Sequence, residues 1–298
     1  MRVAFRLLDV FCDRPFAGNQ LCVVPDPGRL DDAAMQTIAL EIGFSETTFV
    51  TGIQGDRFRM RIFTPDEELP FAGHPTLGTS YLLIAEGRVG AGGAVGDPDP
   101  PEITAQVAAG DFPVVVDIDG HAARMRQLPA LFDPPVTDRA VVARASSLAE
   151  DDLDPALPVR VVSTGLRPVI VPVRDLETLR RAERDGRAVR EACAQVGGDA
   201  LYLFAVEGDG AVTARMFDPG VGIGEDPATG SAAGPLGAYL AEHSVAGMPG
   251  RVRISQGAQV RRPSELFVDA ARENEAWTVH VGGGVRIVGD GGFDLEGS

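Results

Sequence analysis

Two stretches of the chain carry one pattern twice: "RIFTPDEELPFAGHPTLGTS" from Arg61 and "RMFDPGVGIGEDPATGSAAG" from Arg215. Phe63 matches Phe217 and Pro65 matches Pro219. After a two-residue offset, Pro75 faces Pro227, Gly78 faces Gly230, Thr79 faces Ser231 and His74 faces Asp226. A repeat of this kind constrains the fold more than local propensity does, because each copy must bury its apolar face in the same order of elements. The repeat predicts two similar halves, residues 1–118 completed by a final strand at 281–298, and residues 119–280. With 298 residues the chain is long enough to divide its core in this way.

The remaining segments predict an α+β fold. "FRLLDVF", "ETTFV" and "RFRMRIF" read as strands, the last because Phe58, Met60 and Ile62 alternate with Arg57, Arg59 and Arg61. Asp31 is placed to cap a helix through "DAAMQTIALEIG", which Gly43 ends. Further strands are expected at "EITAQV", "FPVVVDI", "VRVVST", "RPVIVPV", "ALYLFAV", "AVTARMF", "RVRIS", "AWTVHV" and "GVRIV". The polar stretch "LETLRRAERDGRAVREACAQVG" predicts a helix in two pieces around Gly186. Short strands joined by turns argue against a doubly wound parallel sheet. "AEGRVGAGGAVGDPDPPE" reads as a flexible surface loop and "LPALFDPPVTD" as a linker.

The two repeat loops are where chemistry is expected. Asp226 occupies an N-cap position and Pro227 the first helical position, where a missing N–H costs nothing. The small residues that follow, Thr229 and Gly230 among them, leave helix-start amides reachable by a carboxylate or phosphate. His74 before Pro75 repeats the arrangement, with Gly73 beside it. The plainer alternative is a pair of capped helix starts with glycine chosen for close packing.

Net charge is -16, from 43 acidic and 27 basic residues, which argues against nucleic acid or an anionic membrane as partner. It leaves a small anionic substrate open, since local loops override the global sign. No signal peptide and no membrane span are expected, and Cys12, Cys22 and Cys193 read as scattered reduced thiols of a cytoplasmic protein. His121, His243 and His280 belong to no metal-ligand spacing. There is no Walker loop, and "GVGIGED" lacks the context of a dinucleotide fingerprint.

"DVFCDRPFAGNQLCVV", "EIGFSETTFV", "RIFTPDEELPFAGHPTLG" and "GIGEDPATGSAAGPL" together resemble the signature segments of the PhzF-like family of phenazine-biosynthesis isomerases. The resemblance runs from the first strand to "GRVRISQGAQVRRPSELFV". It implies a diaminopimelate epimerase-like fold: two pseudo-symmetric halves, each a rolled, mostly antiparallel sheet around a central helix, with the site in the cleft between them. It implies a homodimer, and a last strand, "VGGGVRIVG", that returns to the first half. It also implies a cofactor-independent isomerase that uses no metal and moves a proton on a small cyclic or amino-carboxylate substrate such as trans-2,3-dihydro-3-hydroxyanthranilate.

Within that resemblance Glu46 of "SETTF" is the catalytic base, and His74, Asp226 and Ser231 hold the substrate or assist the transfer. Asn19 and Ser45 fall in matching segments as pocket residues. Burial of Glu46 in a cleft would raise its pKa and let one carboxyl serve as base and then acid. The chain departs from the pattern at Gln20, where the family commonly has proline, and at Arg261, where many members have glycine. Two other readings stand beside this one: an amino-acid epimerase or lyase on the same scaffold, and a non-catalytic small-molecule-binding protein.

Overall fold

The computed structural model describes residues 1–90, 100–208, 210–220 and 224–295. Half of the Gly- and Pro-rich "AEGRVGAGGAVGDPDPPE" segment lies outside the described residues, as do three residues of "GVGIGED". The chain divides into two units, Met1–Arg126 with Gly282–Ser298, and Gln127–Val281.

The first unit contains β1 (Arg2–Val10), β2 (Asn19–Val24), α1 (Asp32–Ile42), β3 (Glu46–Gln54), β4 (Arg57–Phe63), β5 (Glu68–Leu69), α2 (Gly73–Ala85), β6 (Glu102–Val107), β7 (Gly110–Asp117) and β8 (Ala122–Arg126). The alternation in β4 buries Phe58, Met60 and Ile62 while Arg57 and Arg59 stay exposed. Asp31 caps α1 by accepting from the Ala34 amide, and Gly43, at φ 67°, ends it in the left-handed conformation.

The second unit contains β9 (Leu131–Pro135), α3 (Arg139–Ala145), β10 (Arg160–Ser163), β11 (Val169–Pro172), α4 (Leu176–Arg181), α5 (Gly186–Val196), β12 (Leu201–Val206), β13 (Val212–Phe217), β14 (Glu225–Asp226), α6 (Gly230–Glu242), β15 (Gly250–Gln256), β16 (Ser264–Glu273) and the start of β17 (Ala276–Asp294). The two strands expected at "AWTVHV" and "GVRIV" are one continuous β17. The expected linker "LPALFDPPVTD" instead forms β9, whose backbone pairs with β10.

Pairing in the first unit closes on itself. β1 pairs β2, β2 runs parallel to β3, β3 pairs β4, and β4 runs parallel to β6. β6 then pairs β7, β7 pairs β8, β8 pairs β17, and β17 returns to β1. Among the described residues these eight strands form a closed ring, each paired on both sides. Inside it α2 packs against β1, β2, β3, β6, β7 and β8. Every α2 residue from Gly73 to Leu83 is buried, as expected for a helix lodged in a core. Gly78 makes the close approach possible: a Cβ there would lie 2.6 Å from Leu21 Cδ2 and 2.9 Å from Val10 Cγ2.

The second unit repeats the order: β10 pairs β11, β11 runs parallel to β12, β12 pairs β13, β13 runs parallel to β15, and β15 pairs β16. α6 takes the place of α2, packed on β10, β11, β15 and β16. Each unit also carries an outer apolar layer. Met35, Ile38 and Ala39 of α1 cover Phe49 and Phe63, while Val142, Val189 and Ala192 of α3 and α5 cover Val161, Val171 and Leu203. Among the described residues no helix is long and apolar enough to cross a membrane.

Strand register corrects the repeat alignment. Phe63 pairs Glu68 and Ile62 pairs Leu69, while Phe217 pairs Glu225 and Met216 pairs Asp226. Glu68 therefore corresponds to Glu225, Pro70 to Pro227, Gly73 to Gly230 and His74 to Ser231. The expected matches of Pro75 with Pro227 and of His74 with Asp226 do not hold. Neither Asp226 nor Pro227 begins a helix: Asp226 ends β14, the N-cap is Thr229, and α6 starts at Gly230. Likewise His74 lies inside α2, whose N-cap is Ala72. The cause is that the first helical amides have no intrahelical acceptor, so proline fits anywhere in the opening turn and Pro75 is tolerated inside it.

Candidate active site

Four of the sequence-predicted residues of the first unit meet around one imidazole. β2 and β3 run parallel with Leu21 beside Glu46, which brings the start of β3 next to the start of β2. His74, in the first turn of α2, is 5% exposed, and its Nε2 stands 3.5 Å from Glu46 Oε2. The same nitrogen lies 3.3 Å from the Gln20 carbonyl, and Nδ1 lies 3.4 Å from Asn19 Nδ2. Ser45 Oγ donates to Asn19 Oδ1 at 3.1 Å.

These contacts assign the proton on the ring. The Gln20 carbonyl can only accept, so the bond to it requires a proton on His74 Nε2, while the Asn19 amide nitrogen faces Nδ1. The imidazole proton then sits on Nε2, facing the Glu46 carboxyl and the Gln20 carbonyl. An imidazole N–H aimed at a carboxyl oxygen fixes the orientation of that carboxyl group. The Glu46 side chain is 13% exposed, so it is mostly shielded yet reachable.

Gly18 makes this arrangement possible at the end of the β1–β2 loop. Its φ is +71°, and a Cβ there would strike the Val10 carbonyl. The loop is tied at its middle by the buried Asp9, whose Oδ2 accepts from the Phe16 amide at 2.6 Å.

In the second unit the structure joins Asp226 and Thr229 and sets Gly230 and Ser231 as the first two residues of α6. Thr229 Oγ1 donates to Asp226 Oδ2 at 2.5 Å. The N-cap threonine thus spends its hydroxyl on a carboxylate rather than on the helix. Neither α2 nor α6 has a side-chain cap, so Gly73 and Gly230 each open a helix whose first-turn amides are left to other acceptors. Pro235 lies inside α6 and cannot donate to the Ser231 carbonyl one turn before it.

The sequence reading missed the residues that hold Asp226. Gln256, the first residue of "QGAQVRRPS", is 3% exposed and bonds both the Asp226 carbonyl and Thr229. Tyr202, fully buried, donates to Gln256 Oε1 at 2.8 Å. Burial pushes the Tyr202 phenol upward, and the negative charge of Asp226 adds to the shift. Gln127, also buried, donates to the Gly230 carbonyl at 2.9 Å and accepts from Thr164 at 2.5 Å. The position that corresponds to Glu46 in the second unit is Ala200, because Thr47 pairs Phe63 as Leu201 pairs Phe217. Among the described residues no group of three or more His, Cys, Asp or Glu side chains is arranged to hold a metal ion.

Comparison with known proteins gives these positions a context. Residues 8–291 match the PhzC-PhzF family, described as phenazine biosynthesis-like protein. The chain is 33% identical over 298 residues to a trans-2,3-dihydro-3-hydroxyanthranilate isomerase of Pseudomonas aeruginosa, covering 98% of this chain and 97% of that one. An uncharacterized isomerase of Escherichia coli O157:H7 is 32% identical over 290 residues, covering 94% and 95%. A crystal structure of a PhzF-family phenazine biosynthesis protein from Bacillus anthracis has a TM-score of 0.86 at 26% identity, covering 99% of this chain and 100% of that one. The chain belongs to the phenazine biosynthesis-like PhzC-PhzF family, and it is an isomerase.

Proposed function

We propose that Glu46 is the proton-transferring base of a cofactor-independent isomerisation, removing a proton from carbon and returning it elsewhere on the same conjugated substrate. The observation that carries this reading is the Glu46 carboxyl, 13% exposed and 3.5 Å from His74 Nε2. A carboxylate so placed is oriented, shielded from bulk water and close to an imidazole N–H donor. General acid–base chemistry asks for that combination. His74, held by Asn19 and Ser45, steadies charge as the C–H bond breaks.

In the second unit Asp226 and Ser231 are the proposed substrate-holding side chains; the helix-start amides at Gly73 and Gly230 are the proposed donors to a substrate carboxylate, while Thr229, whose own N–H goes to Gln256, holds the Asp226 carboxyl through its hydroxyl. The substrate is a small anionic cyclic or amino-carboxylate, with trans-2,3-dihydro-3-hydroxyanthranilate, named for the Pseudomonas aeruginosa relative, as the first to test. An epimerase that works from two faces would need a second transferring residue at the matching place, and Ala200 stands there. The protein is proposed to act as a cytoplasmic homodimer, which sedimentation equilibrium and cell fractionation test.

The test follows isomerisation of that compound in deuterated water by purified wild type and Glu46→Gln. The variant keeps side-chain volume and removes the base, so binding persists and turnover falls by about 10²–10⁴-fold. Near-full activity in folded Glu46→Gln protein would refute the assignment.

A further inference from the structure

We propose that Gln256 is a positioning residue that, through Thr229, fixes the Asp226 carboxylate as an oriented hydrogen-bond acceptor; its bearing on the reaction rests on the reading of Asp226 as a substrate-holding residue. The Gln256 amide has four partners. Oε1 accepts from the Tyr202 hydroxyl at 2.8 Å and from the Thr229 backbone N–H at 3.3 Å. Nε2 donates to the Asp226 carbonyl at 2.8 Å and to Thr229 Oγ1 at 3.1 Å.

Each direction is forced by the one before it. A backbone N–H only donates and a backbone carbonyl only accepts, so the amide cannot flip without setting donor against donor and acceptor against acceptor. The Thr229 oxygen, already accepting from Nε2, sends its single proton to Asp226 Oδ2 at 2.5 Å. The chain of donors therefore ends on the Asp226 carboxyl, whose Oδ2 is held as an oriented acceptor. Such a group suits an ammonium or hydroxyl of the substrate and disfavours its carboxylate, which is left to the helix-start amides.

The fold itself does not require the network. Phe58 pairs Ala105 in the first unit as Val212 pairs Ile254 in the second, so Val107 corresponds to Gln256. By the same registers Thr48 corresponds to Tyr202 and Leu69 to Asp226. A duplicated unit that folds with valine, threonine and leucine at these places shows the polar set to be an addition. Gly257 seats it: at φ +79° any Cβ would strike the carbonyls of Pro227 and Arg262, so the backbone after Gln256 lies directly on the segment that carries Asp226.

The experiment observes the carboxyl carbon of Asp226 in ligand-free protein labelled with ¹³C-aspartate, the signal being assigned by its loss in Asp226→Asn. Beside Asp226 in the sheet are Tyr202 on β12 and the Arg215–Glu225 ion pair of β13 and β14, and Arg215 and Glu225 are kept in every variant. Gln256→Leu and Thr229→Val are expected to raise the titration midpoint of that signal by about one pH unit, while Thr229→Ser restores it. Midpoints within about 0.2 pH units of wild type in both apolar variants would overturn the proposal. If Gln256→Leu does not fold, the Thr229→Val and Thr229→Ser pair decides. Turnover of trans-2,3-dihydro-3-hydroxyanthranilate is followed in parallel: unchanged turnover by Asp226→Asn would remove Asp226 from the reaction, and the carbon signal would still decide the role of Gln256.

Discussion

The duplication places one ion pair in two settings, and the two should differ sharply in worth. Arg215 binds Glu225 through two bonds, at 2.9 and 2.7 Å, and its Nη1 donates to the carbonyls of Leu179, Arg180 and Ala182. The side chains of this pair are 7% and 13% exposed. Replacing Arg215 by methionine strands a shielded carboxylate and three carbonyls that close α4. Breaking a buried pair from one side costs about 3–5 kcal/mol. The corresponding Arg61 binds Glu68 and Asp32, but these partners are 38% and 85% exposed, so water replaces much of what is lost. Arg61→Met should cost about 1 kcal/mol.

Urea unfolding followed by circular dichroism measures both, since guanidinium would screen the charges. Hydrogen exchange read by mass spectrometry assigns each loss to its unit, because two units need not unfold together. The double change Arg215→Met with Glu225→Leu should recover part of the single loss by removing the stranded charge. Equal losses for Arg215→Met and Arg61→Met would refute the reasoning.

Gly78→Ala gains helix propensity of about 1 kcal/mol but forces a methyl into Leu21 and Val10, both fully buried, so net destabilisation of about 1–2 kcal/mol in urea is expected; a stabilised variant would contradict the packing described. Cys22 and Cys193 are buried, and desolvation pushes both thiols up to about 12, so neither should react with a disulfide reagent at pH 8 until the protein is denatured. Burial first, and then the charge of Arg160, lower the pKa of His243, whose ring lies tilted against Tyr239. His243 stays neutral in the fold while the unfolded chain takes up a proton below about pH 6.5. Its contribution is therefore whole above that pH and is lost as pH falls toward the folded value. His243→Phe should flatten the fall in stability between pH 7 and 5, and an unchanged slope would count against the assignment.

The local features of the fold were legible because their causes lie within a few residues. Asp31 and Gly43 bound α1, the alternation in "RFRMRIF" gives β4, and the polar stretch breaks into α4 and α5 just before Gly186, which opens α5. The repeat was legible too, but its alignment leaned on proline at a helix start, and proline is tolerated at several positions there. What fixes the alignment is the pairing of two-residue strands, β5 and β14, too short to leave a pattern. The grouping of Glu46, His74, Asn19 and Ser45 came from the family resemblance, since contacts spanning 55 residues leave no periodic trace. Gln256 shows the same limit: its partners Tyr202 and Thr229 lie 54 and 27 residues away, and a glutamine ending a strand carries no signal of its own.

The closed sheet of the first unit has a consequence for biosynthesis. Its ring is joined between β8 and β1 by β17, which follows the second unit in the chain. While a ribosome is still making residues 127–281, β1 and β8 each present an unpaired edge, and α2 sits in a sheet that has a gap. Such edges recruit strands from other nascent chains. The unit begun before the other is thus sealed after it, and its exposure lasts for nearly the whole translation of the second unit. Slowing elongation late in the message should increase aggregation more than slowing it early, because the open edges are already outside the exit tunnel.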